Sequence, residues 1–179
     1  MSFSAAGIAF LASLEGAVLD KELAPGVKLH KPYNDAAGNA TAGYGHLLHK
    51  GPLTDFEKHE RHTEAQAKLW LQQDAQKAER VLRTVLRPEV LKLFNQPQWD
   101  ALVSWSFNIG ETATRSAFLI DVLNSPIFWE AHRRGRVWAN LVIAAELGLW
   151  TQAGGKTLQG LVNRRAKEAK LWAEGVYGV

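Results

Sequence analysis

Between Thr63 and Pro88 the chain reads TEAQAKLWLQQDAQKAERVLRTVLRP, its clearest helical signal. Ala67, Leu71, Ala75, Ala78, Leu82 and Val85 fall on one stripe of a 3.6-residue period. Thr63-x-x-Gln66 has capping-box form at the start, and Pro88 stops the helix. The pattern predicts a helix over about 64–87. It lies between the only strand-rich segment and a helical remainder, so it is expected to bridge two lobes. The lobes are set at about 16–62 on one side, and at about 95–179 with the first helix on the other.

Upstream, Ser4 can cap a helix carrying Ile8, Leu11 and Leu14, with Glu15 at its far end just before Gly16. Residues 16–32 read as irregular, with Pro25-Gly26 as a turn and Pro32 as a breaker. Tyr33 to Leu48, YNDAAGNATAGYGHLL, favours short strands and tight turns, with Gly38-Asn39 at a hairpin tip. Its small side chains bury little apolar area, so it suits the display of polar groups rather than core building. Thr54-x-x-Glu57 is a second capping-box pattern. Downstream, Pro97 suits a first helical turn, and QWDALVSWSFNIG (98–110) ends at Gly110. Further helices are expected at 114–124, 126–134, 137–146 and 157–174, with a break at Gly154-Gly155. One small hairpin region and a helix-rich remainder make an α+β protein.

Composition narrows the chemistry. The 179 residues contain no cysteine, which excludes disulfides, thiolate metal sites and a cysteine nucleophile. Phe3 to Leu14 is apolar but short for a membrane span, has no basic head and meets Glu15 early. It reads as an internal helix of a soluble protein, with no signal peptide and no membrane span. The net charge of +3 suits an anionic polymer such as a nucleic acid, teichoic acid or peptidoglycan. The basic blocks RRGR (133–136) and NRRAK (163–167) are short and lack interleaved aromatics, so they read as solvated faces and not as a nucleic-acid surface. Seven tryptophans are a heavy load for this length, and most are expected to pack.

Glycoside hydrolysis needs an acid for the leaving oxygen and a second carboxylate for water or attack on the sugar. Glu15, at the end of an apolar helix, is a candidate acid, because partial desolvation favours the protonated carboxyl. Asp35, in a wetter turn, is the candidate ionised partner, and Thr41 across the hairpin can hold a water. Taken singly, a Glu at a helix end and an Asp in a turn are ordinary surface residues. His59-Glu60-Arg61-His62 spaces its histidines three apart where a metalloprotease helix needs four, so no metal site is expected. No Gly-x-Ser-x-Gly supports a serine nucleophile.

Glu15-Gly16, then Tyr-x-Asp-x-x-Gly-x-x-Thr-x-Gly-Tyr-Gly-His, then WDALVSWSFNIG, then Gly-Leu-x-x-Arg-Arg together resemble the phage T4-type lysozyme family, glycoside hydrolase family 24. The resemblance runs from about Phe10 to Trp172. It implies a lysozyme-like fold, with a small hairpin lobe and a larger helical lobe joined by a long helix, and the hairpin as one wall of a substrate cleft. It implies hydrolysis of the β-1,4 bond between N-acetylmuramic acid and N-acetylglucosamine in bacterial peptidoglycan, without a cofactor. Glu15 matches the family's general acid, Asp35 its water-activating carboxylate and Thr41 its water-positioning hydroxyl. His46 and Asp74 match a lobe-stapling ion pair. Arg164 matches an arginine near the acid; a cation there favours the ionised carboxylate, so it reads as an orienting partner. The resemblance also implies a monomer held in the host cytoplasm until its release to the periplasm or wall.

Two departures stand out. The gap between Glu15 and Asp35 is longer than in T4-type sequences, through the extra AVLDKELAPGVKLHK (17–31), expected as a loop. Ala42 replaces the usual Ile before Gly-Tyr-Gly-His. Two rival readings share the residues. A lytic transglycosylase would use Glu15 alone on the same bond. A spike or effector module would bind wall without cutting it.

Overall fold

The computed structural model describes residues 1–20, 29–35, 37–135 and 137–178. The chain divides into two compact units, Ile8–Asp74 and, around it in sequence, Met1–Gly7 with residues 75 onward. Helix α1 (Ala5–Leu14) begins in the second of these and continues in the first. Ser4 caps it, its Oγ accepting from the Gly7 N–H at 2.9 Å.

In the unit Ile8–Asp74, α1 is followed by five short strands: β1 (Leu29–His30), β2 (Tyr33–Asn34), β3 (Ala40–Ala42), β4 (His46–His49) and β5 (His62–Thr63). Strands β2, β3 and β4 form an antiparallel sheet in that order, and β1 pairs antiparallel with β5. The register sets Tyr33 opposite Thr41, and Thr41 opposite Leu47, with an irregularity between Ala40 and Thr41. The stretch expected as irregular thus contains a strand at Leu29–His30. Its partner lies more than thirty residues on, at His62–Thr63, so local preference carried no sign of it. Pro25-Gly26 lies outside the described residues.

The tip of the β2–β3 hairpin turns at Gly38, whose φ of +81° is a conformation glycine adopts freely. Gly43 combines a φ of +61° with a close approach: a Cβ there would stand 3.0 Å from the Cβ of Ala67. Thr63 caps helix α2 (Glu64–Val85), accepting from the Gln66 N–H at 3.1 Å. Residues to Asp74 belong to this unit and those from Ala75 to the other.

The second unit is helical. Helix α3 (Gln96–Ile109) starts on a full capping box between Asn95 and Gln98 and stops at Gly110. The single helix expected over 114–124 is two, α4 (Glu111–Ser116) and α5 (Phe118–Leu123). Ala117 breaks them with extended backbone, and Leu119, Ile120 and Leu123 beyond it are buried. Helices α6 (Pro126–Arg133), α7 (Val137–Gly148) and α8 (Gln159–Glu174) follow, with a hairpin of β6 (Gln152–Ala153) and β7 (Lys156–Thr157) before α8. The Gly154-Gly155 break is the tip of that hairpin.

The core of this unit gathers Trp99, Trp105, Leu102, Leu119, Ile143 and Leu171, all but fully buried. Phe94 meets the edge of Trp129 at 5.0 Å and of Trp172 at 5.9 Å, an aromatic cluster at favoured angles. The first residues are sewn onto this core. Ser4 donates through its N–H and hydroxyl to the buried Asp100, Gln96 donates to the Ser2 carbonyl at 2.8 Å, and Phe3 donates to Glu79 at 3.3 Å. No helix among the described residues is long and apolar enough to cross a membrane.

Candidate active site

Glu15 follows the last turn of α1, and its N–H continues the helix by donating to the Leu11 carbonyl at 3.1 Å. Its residue is half-buried. Asp35 follows β2, where the chain turns through Gly38 and Asn39 into β3. One oxygen of its carboxylate accepts from the Ala37 N–H at 2.9 Å and from the Asn39 N–H at 2.8 Å. The other accepts from the Asn39 side-chain amide at 3.4 Å. The Asn39 N–H does most to hold this carboxyl below the ordinary aspartate value, against a smaller desolvation effect. The turn therefore keeps Asp35 ionised.

Thr41 is almost wholly buried and donates its hydroxyl to the Asn39 carbonyl at 3.1 Å. The Asp35 N–H donates to that same carbonyl at 2.9 Å, so one acceptor fixes both. With its proton directed at Asn39, the Thr41 oxygen keeps lone pairs for a water. Glu15 and Asp35 also act on a common neighbour. The Tyr33 phenol is pushed above its ordinary value by burial first, then by the charges of Asp35 and Glu15. Glu15, Asp35 and Thr41 thus gather around one end of β2 and β3 within a single unit.

Two polar clusters fasten this sheet to α2. His46 on β4 meets Asp74 through Nδ1 and Oδ2 at 2.7 Å and stacks on Trp70, ring centroids 5.0 Å apart. Both partners belong to the unit Ile8–Asp74, so the pair ties the hairpin to the first half of the helix. The second cluster centres on Glu64, which accepts from the Tyr44 hydroxyl at 2.7 Å, meets the buried His30 at 2.7 Å and pairs with Lys68 at 3.2 Å. Burial pushes the Glu64 carboxyl up, but these three partners together outweigh it and hold it below its ordinary value.

Arg164 stands in the other unit, on α8. Buried, it donates to Glu168 at 3.2 Å and to the Ser104 carbonyl at 3.3 Å, while Ser104 donates to Glu168 at 2.7 Å. Arg165 adds a second cation at 2.9 Å. Full burial pushes Glu168 up, and the two arginines pull the other way.

The sequence named Glu15, Asp35, Thr41, His46, Asp74 and Arg164, and the first five fall in one unit. It missed Asn39, the Glu64 cluster and Glu168. Asn39 had a usable signal, since an Asn four residues after an Asp at a hairpin tip suits a turn closed by side-chain bonds. Glu64 had none, because its partner His30 stood in a stretch read as irregular. Among the described residues no group of His, Asp or Glu side chains is arranged to hold a metal ion.

Comparison with known proteins gives this geometry its setting. The family model described as Phage lysozyme matches residues 25–168, a span holding all the named residues except Glu15. The endolysin of Bacillus phage PZA is 35% identical over 175 residues, covering 98% of this chain and 56% of that protein. The chain thus spans about half the length of the Bacillus phage endolysins it matches, 56% for PZA and 55% for B103. Among solved structures, the endolysin from Escherichia coli O157:H7 phage FAHEc1 superposes with a TM-score of 0.68 at 27% identity, covering 100% of this chain and 98% of that one. The muramidase domain of SpmX from Asticaccaulis excentricus gives 0.64 at 26% identity, covering 96% of this chain and 97% of that one. With a family match across most of its length and a fold shared with such structures, this chain belongs to the phage lysozyme family.

Proposed function

We propose that the chain is a peptidoglycan hydrolase, cleaving the β-1,4 bond between N-acetylmuramic acid and N-acetylglucosamine in an endolysin's lysis of the host wall. Glu15 gives a proton to the leaving glycosidic oxygen. A water held by the Thr41 oxygen attacks the anomeric carbon from the opposite face and gives its proton to Asp35. One water is consumed, the anomeric carbon inverts, and the two carboxyls exchange protonation states until solvent resets them. His46 and Asp74 support the hairpin, and Arg164 is held on Glu168 and the Ser104 carbonyl within the helical unit.

The observation that carries this reading is the shared Asn39 carbonyl. It accepts from both the Asp35 N–H and the Thr41 hydroxyl, which supports an ionised carboxylate and a water-positioning hydroxyl working as a pair. A lytic transglycosylase has no use for that pair, since the muramyl 6-hydroxyl replaces water. Digestion of purified peptidoglycan in heavy-oxygen water, with mass spectrometry of the fragments, tests it. The expected result is label at reducing muramic acid ends. Unlabelled 1,6-anhydro-muramic acid ends would overturn hydrolysis, and bound but uncut wall would overturn catalysis.

A further inference from the structure

The chain has three tyrosines, and two of them spend their hydroxyls on carboxylates. Tyr44 donates to Glu64 and Tyr177 to Asp100, each at 2.7 Å. Tyr33 is half-buried, yet its hydroxyl has no hydrogen-bond partner among the described residues. Its position is not neutral. Directly opposite Thr41 in the antiparallel register, it projects from the same face of the sheet. Asp35 lies two residues further along, just past the end of β2, and its charge acts on the Tyr33 phenol. Leu47, opposite Thr41 on the next strand and 47% exposed, extends the row with an apolar surface. An aromatic ring with a free hydroxyl, beside two acids and in line with an exposed leucine, has the makeup of a sugar platform. Such a platform needs an apolar face for C–H groups and a donor for an oxygen.

We propose that Tyr33 is a substrate-binding residue, whose hydroxyl donates a hydrogen bond to an oxygen of the N-acetylated sugar held beside Asp35 and Glu15. The ring covers that sugar's C–H face. This inference rests on the muramidase reading above. Burial and the flanking carboxylates keep the phenol protonated, so toward the ligand it acts as a donor throughout the neutral range.

The test is steady-state turnover of soluble wall fragments by the wild type, Tyr33→Phe and Tyr33→Ala, alongside melting temperatures. Tyr33→Phe keeps the ring and loses one hydrogen bond. It is expected to raise KM about tenfold, with kcat and melting temperature unchanged. Tyr33→Ala, which also loses the ring, is expected to lower kcat/KM further, by about a hundredfold. A Phe variant with wild-type kcat/KM would overturn the proposal, because the hydroxyl would then be idle. A Phe loss confined to kcat, or one that follows a fall in melting temperature, would overturn it too. A wild type that releases no fragments would instead remove the muramidase reading, and this inference with it.

Discussion

Asp35 owes its charge to the turn it sits in, and that has a consequence in pH. Its carboxyl is held below the ordinary aspartate value, chiefly by the Asn39 N–H, so it stays ionised until pH falls through the lowered value. The acid limb of kcat against pH should therefore lie below the range of an ordinary aspartate. A limb well above that would mean that another group serves as base. Substitution separates the three roles. Glu15→Gln and Asp35→Asn each remove a proton carrier, and turnover should fall roughly 10²–10⁴-fold in both. Thr41→Ala removes only a positioning contact, so about a tenfold loss is expected, with Thr41→Ser restoring most of it. Equal losses at all three positions would contradict this division of labour.

At the scale of elements, the sheet is kept on α2 by close backbone approach and by His46–Asp74. Gly43→Ala would force a left-handed residue to carry a Cβ 3.0 Å from that of Ala67, and thermal unfolding should show a loss of about 1–3 kcal/mol. Asp74→Asn leaves His46 without its anion. It should lower stability by about 1–2 kcal/mol, with turnover of wall fragments nearly intact. An unchanged melting temperature would show the pair to be idle. The same elements show what a sequence can tell. Helix α2 was legible because cap, stripe and stop agree within it, and α3 through Pro97 at its start and Gly110 at its end. Strands of two residues such as Leu29–His30 exist only through a distant partner, and the break at Ala117 answers to burial of the residues after it. Glu15, Asp35 and Thr41 were chemically legible as types, while His46, Asp74 and Arg164 came into view only through the family motif. The bonds that tune them, from Asn39 above all, needed coordinates.

For the molecule as a whole, the two units differ in how they are held. The helical unit encloses a continuous aromatic and aliphatic core, with residues Gln98 to Ser106 of α3 all buried. The other joins the end of α1 and the first half of α2 to strands of only two to four residues. Hydrogen exchange should register this, with α3 amides exchanging about a hundredfold more slowly than those of Tyr33 to His49. Comparable protection in both would contradict it. The helical unit is also discontinuous, since Ile8–Asp74 interrupts it between Gly7 and Ala75. A ribosome emits the chain in order, so the residues of the interrupting unit are all made while Phe3 still lacks Glu79 and Ser4 still lacks Asp100. Phe3 and Ser4, made before the interrupting unit, thus dock only after it, and until α3 emerges the Phe3 side chain waits without the surface it is built to join.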